Sequence, residues 1–94
     1  MPKKKVDIQK VQSDIAAIAE LMSGVMEDTA VPRNIRGAVE EAKKAILSAT
    51  DDVAISRAIY LLDDVSNDIN LPSHSRTDLW TIISELETLK EKFG

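Results

Sequence analysis

The chain contains no cysteine. That removes disulfide staples, zinc–thiolate sites, iron–sulfur clusters and thiol nucleophiles together. It has one histidine, His74, so a single chain cannot build a two-histidine metal motif. The three glycines are scattered at positions 24, 37 and 94, and no glycine-rich phosphate loop can be drawn from them. Long hydrophobic runs are missing too: the apolar stretches are a few residues each, against the roughly 20 needed to span a bilayer. The segment Met1-Pro2-Lys3-Lys4-Lys5 is basic, but Asp7, Gln9, Lys10, Gln12 and Asp14 interrupt the hydrophobics after it. The expectation is therefore a cytoplasmic protein with no membrane contact.

What remains is a small, acidic, hydrophobic-patterned chain. The 94 residues fit one domain spanning 1–94. A 44% hydrophobic fraction argues for a folded chain, and a net charge of −4 disfavours broad binding to a phosphate backbone. RNA is accordingly a secondary partner expectation.

The hydrophobic period is helical throughout. Ile8, Val11, Ile15, Ile18, Met22 and Val25 recur at alternating steps of three and four, widened by Leu21 and Met26. Ile35, Val39, Ala42, Ile46 and Ala49 form a second stripe, and Ile55, Ala58, Leu62, Val65 and Ile69 a third. Leu79, Ile82, Ile83, Leu86, Leu89 and Phe93 form the fourth. Pro32 and Pro72 fit a helix's first turn, and Thr50, Asp51 and Asp52 offer cap acceptors. The pattern predicts helices at about 6–27, 32–48, 52–69 and 73–92. Short connections favour antiparallel neighbours, hence an all-α, antiparallel four-helix bundle.

A shift of forty residues superimposes Ile15 on Ile55, Leu21 on Leu61 and Val25 on Val65. It also superimposes Asp28 on Asp68, Pro32 on Pro72 and Arg36 on Arg76. This predicts a bundle built from two pseudo-symmetric α-hairpins, with a two-repeat HEAT-like helical pair as the alternative. Small residues at Ala38, Ala42 and Ala45, with Gly24 and Gly37, predict close backbone approach.

Catalytic chemistry finds little purchase. The acid pairs Glu27-Asp28, Glu40-Glu41, Asp51-Asp52 and Asp63-Asp64 are neighbours about 100° apart on a helix, so a pair cannot face one interior metal. No Glu-x-x-His occurs. The reading is a non-enzyme with no catalytic residues, no metal and no cofactor; a hydrolase using acidic residues or His74 is the remote alternative.

Electrostatics marks one end of the molecule. An up-and-down bundle places the first and third connections together, gathering Arg33, Arg36, His74 and Arg76 with Asp28 and Asp68. Helix N-termini favour anions, so this end is a candidate site for phosphate, nucleotide or RNA backbone. Alternatively, Asp28 and Asp68 pair with Arg36 and Arg76 as structural salt bridges. Trp80 and Tyr60 read as core-edge anchors, with exposed recognition as the alternative. The wide apolar face of the last helix suggests self-association as a homodimer. The leading functional expectation is a small protein–protein interaction or self-associating module.

Two stretches carry a family likeness: Glu27-Asp28-Thr29-Ala30-Val31-Pro32-Arg33-Asn34-Ile35-Arg36, and Ile59-Tyr60-Leu61-Leu62-Asp63-Asp64-Val65-Ser66-Asn67-Asp68 continuing through Leu71-Pro72, His74, Arg76 and Trp80. They resemble an uncharacterised family of short archaeal all-helical proteins. The resemblance implies a four-helix bundle in an archaeal cytosol and brings no catalytic or binding residues with it.

Overall fold

The computed structural model describes residues 8–93, and four helices account for most of them: α1 (Ile8–Glu27), α2 (Arg33–Leu47), α3 (Asp52–Ser66) and α4 (Ser73–Phe93). No strand occurs among the described residues. The basic segment Met1–Lys5 and the expected start of the first helix at residue 6 lie outside them.

Each stripe becomes a buried face. Val11, Ile15, Ile18, Met22 and Val25 of α1 are buried, as are Ile35, Val39, Ala42 and Ile46 of α2. Ile55, Ala58 and Leu62 of α3 meet Leu79, Ile82, Ile83, Leu86 and Leu89 of α4 in the same cluster. Burying a Val, Leu or Ile side chain contributes about 1.5–3 kcal/mol, so this cluster supplies most of the drive to fold. The α4 face expected to stay open for self-association is instead consumed by this core.

Helices α1 and α2, α2 and α3, and α3 and α4 pack as sequence neighbours, and α1 packs on α4. Among the described residues, the backbones of the diagonal pairs α1–α3 and α2–α4 do not approach each other closely. Two polar links reinforce the packing. The Lys43 ammonium donates to Ser23 Oγ at 2.8 Å between α1 and α2, and Lys92 pairs with Asp14 between α4 and α1.

Helix ends follow local chemistry. Asp51 caps α3, its carboxylate accepting from the Val53 and Ala54 backbone N–H groups. Pro32 lies outside α2 rather than in its first turn: at φ −55° and ψ 147° it is extended, and its carbonyl accepts from Ile35 and Arg36 N–H. α3 stops at Ser66, three residues short of the predicted end. Ser66 Oγ and Asn67 Nδ2 both bond the Asp63 carbonyl, and such side-chain bonds compete with a continuing helix. Ile69 consequently stands 92% exposed in the turn. Gly24 and Gly37 meet no close neighbour; a Cβ on either would have nothing within 4 Å, so the predicted backbone approach is absent there.

Candidate functional site

The α1–α2 and α3–α4 connections share one hydrogen-bond plan. Asp28 Oδ1 accepts from Ala30 N–H at 2.9 Å, and Asp68 Oδ1 from Asn70 N–H at 2.8 Å. The Asp28 carbonyl then accepts from Val31 N–H, and the Asp68 carbonyl from Leu71 N–H, each at 3.1 Å. An aspartate bonding two residues ahead closes an Asx turn, and Val31 and Leu71 are buried as each turn re-enters the core.

The two connections lie at the same end, because His74 at the start of α4 reaches the α1–α2 turn. His74 Nε2 lies 2.8 Å from Asp28 Oδ2. The His74 hydrogen bond, seconded by the Ala30 N–H and by the positive charges of His74 and Arg36, holds the Asp28 carboxyl below the usual carboxylate range.

The arginines divide differently from either sequence expectation. Arg76 donates from Nε to the Ser66 carbonyl at 3.1 Å and from Nη2 to the Asp68 carbonyl at 3.0 Å. It therefore clamps the frayed end of α3 through carbonyl oxygens, where a cation also meets the negative pole of the helix. Asp68 spends its carboxylate on its own turn. Arg36 makes no ion pair with Asp28 among the described residues; its Nε is buried without a partner. Arg33 is exposed on the first turn of α2. Asp28, His74, Arg36, Asp68 and Arg76 thus lie around the two connections, with an Asp28–His74 bond where Asp–Arg pairs were expected.

A different surface carries the exposed aromatic side chains. Trp80 is 58% and Tyr60 80% exposed, so neither anchors the core edge. Between α3 and α4 runs a cleft of about 510 Å³ lined by Asp52, Ile59, Glu87, Lys90 and Glu91. Trp80 precedes Glu87 by seven residues, two helical turns, and so stands on the α3 side of α4. Tyr60, one position after the cleft residue Ile59, points about 100° away from it onto the outer face of α3, one turn from the exposed Asp63 and Asp64. The sequence signal for this face was the single step by which Trp80 misses the Leu79–Ile82–Ile83 stripe.

Among the described residues no three His, Asp or Glu side chains converge to hold a metal ion. No helix there is long and apolar enough to cross a membrane.

A family model for an uncharacterised protein family, UPF0147, matches residues 2–89. The chain belongs to UPF0147. It is 45% identical to the UPF0147 protein of Methanocaldococcus jannaschii over 78 residues, which is 81% of this chain and 84% of that one. It is 37% identical to the UPF0147 protein of Pyrococcus horikoshii across 96% of this chain and all of that one. Two crystal structures are similar as well. One, of the unknown-function protein MMP1188, has a TM-score of 0.77 at 41% identity over 92% of this chain and 97% of that one. The other, a UPF0147 protein from Thermoplasma acidophilum, has a TM-score of 0.76 at 32% identity over 85% of this chain and 98% of that one. These UPF0147 relatives are archaeal, and the function of the family is unknown.

Proposed function

We propose that the protein is a small non-enzymatic interaction module that docks a protein partner on the face formed by α3 and α4. The observation carrying this reading is the exposure of Trp80 and Tyr60 in a chain with only three aromatic residues. Tryptophan and tyrosine are the residue types most enriched among binding hot spots, and leaving them in water forgoes the burial that stabilises a small domain.

The scaffold beneath is, on this reading, an antiparallel four-helix bundle of two pseudo-symmetric hairpins. The paired Asx turns at Asp28 and Asp68 support the symmetry. Close backbone approach of α1 to α4, and none across the diagonals among the described residues, favours a closed bundle over stacked HEAT-like hairpins, which would bring α1 against α3. The anion-binding alternative at the arginine-rich end has weaker support, because the Arg76 donors are engaged by carbonyl oxygens.

The test compares the tagged chain with its Trp80→Ala/Tyr60→Ala variant in affinity capture from archaeal lysate, with nuclease present, and in sedimentation. The expected result is a protein partner, or a second copy, that survives nuclease and is lost in the variant while its unfolding midpoint is unchanged. Identical captured proteins for both chains, or a bare monomer in every arm, would sink the reading.

A further inference from the structure

The two halves of the chain carry very different charge. Residues 1–48 hold eight lysines and arginines against seven aspartates and glutamates, a balance of +1. Residues 49–94 hold four against nine, a balance of −5. The whole excess of negative charge therefore belongs to the half that contains α3 and α4, the half that also exposes Tyr60 and Trp80.

The distribution within that half is directional. The α3–α4 cleft presents Asp52, Glu87 and Glu91 against the single cation Lys90. Asp63 and Asp64 are exposed further along α3. Among the described residues, none of these five carboxylates makes an ion pair. Acidic side chains left unpaired on the two helices that carry exposed aromatic rings create a negative potential beside an apolar anchor, and complementary potential is what selects a partner and speeds its encounter. Aromatic faces add to the same preference, since Trp and Tyr rings attract lysine and arginine side chains.

Resting on the docking face proposed above, we infer that the occupant is a basic polypeptide segment, seated along the α3–α4 cleft. Its lysine and arginine heads lie on Asp52, Glu87 and Glu91, and its apolar or cationic side chains lie against Trp80 and Tyr60. A second copy of this chain fits less well, because a two-fold pairing of this face would set carboxylates against carboxylates. A nucleic acid is repelled by the same charges.

Trp80 is the only tryptophan, so its emission reports occupation of the face directly. The full chain is titrated with a short Lys/Leu peptide, its Glu/Leu counterpart and an RNA oligonucleotide, reading Trp80 emission and calorimetric affinity. Two variants of equal net charge are compared. Asp52→Asn/Glu87→Gln/Glu91→Gln neutralises the cleft, and Glu20→Gln/Glu40→Gln/Glu41→Gln neutralises exposed acids on α1 and α2.

The Lys/Leu peptide should bind saturably with a blue shift of Trp80, weaken with added salt, and lose about tenfold in affinity in the cleft variant against about twofold in the control. Equal losses in the two variants, or tighter binding of the Glu/Leu peptide or the RNA, would overturn the inference. The Trp80→Ala/Tyr60→Ala chain, followed by calorimetry, separates the two levels. Binding that needs the aromatics but ignores the cleft carboxylates leaves the docking face standing and removes its basic occupant. Binding indifferent to both removes the two together.

Discussion

Arg36 and Arg76 occupy matching places forty residues apart, yet only Arg76 finds acceptors. The difference starts one residue earlier, where α3 ends at Ser66 while α1 continues through Glu27, the counterpart of Asn67. Ser66 and Asn67 turn their side chains back on the Asp63 carbonyl, and Arg76 takes up the carbonyls of Ser66 and Asp68. Asp28 makes its corresponding contribution through His74 instead. Because the folded protein holds the Asp28 carboxyl below its ordinary value, chiefly through the His74 hydrogen bond, ionised Asp28 stabilises the fold above the unfolded-state value near 4. That contribution is lost as pH falls through the lower, folded value. Asp28→Asn keeps an acceptor for Ala30 N–H and loses the carboxylate facing His74. In urea unfolding, the wild-type chain should exceed Asp28→Asn in stability at about pH 6, and the gap should close toward about pH 2.5. A gap of constant size across that range would show that the carboxylate charge is not what His74 responds to. The sequence placed Asp28, His74, Arg36 and Arg76 at one end because helix order and connection lengths decide that. It could not pair them, since pairing depends on where α3 frays.

At the scale of the helix, periodicity carried nearly all the information. Every predicted stripe position from Val11 to Val25 on α1, and from Ile35 to Ile46 on α2, is buried. The failures sit where a stripe was widened or prolonged: Leu21 is 46% and Ile69 92% exposed. Leu21 lies one residue off its stripe, and Ile69 lies beyond the point where side-chain bonds stop α3. The glycines failed for a different reason. A glycine inside a helix implies close approach only when something approaches, and nothing lies within 4 Å of where a Cβ would stand at Gly24 or Gly37. Both positions have ordinary helical backbone, with no positive φ at either. Glycine there costs helix stability through the freedom it retains when unfolded, with no packing gain in return. Gly24→Ala and Gly37→Ala should each raise stability by about 0.5–1 kcal/mol in denaturant unfolding, with an unchanged m-value. A loss in either variant would mean that a neighbour, or a partner in solution, uses the missing side chain.

The whole molecule raises the question of whether the pairs α1–α2 and α3–α4 are two folding units or one. The forty-residue repeat and the matched Asx turns give each hairpin its own local plan. Burial argues the other way. Met22, Ile35, Ile46, Ile55, Leu62, Leu79, Ile82 and Leu86 are all buried within one cluster, and it draws on all four helices. A hairpin cut at the α2–α3 connection would keep one helix–helix seam of its own and expose the two seams it shares, α2 with α3 and α1 with α4. Two helices of this length bury too little apolar surface to offset the entropy of ordering them, and isolated pairs below about 40–50 residues are marginal at best. Peptides of residues 1–48 and 49–94 should therefore each show weak, non-cooperative helicity by circular dichroism. Mixed in equal amounts, they should regain a cooperative thermal transition whose midpoint rises with concentration, as a bimolecular assembly must. The opposite charge balances of the halves, +1 and −5, favour that encounter over self-pairing of the acidic half. A hairpin that melts cooperatively on its own, at a midpoint independent of concentration, would mean that the repeat is the folding unit and the shared core a later addition.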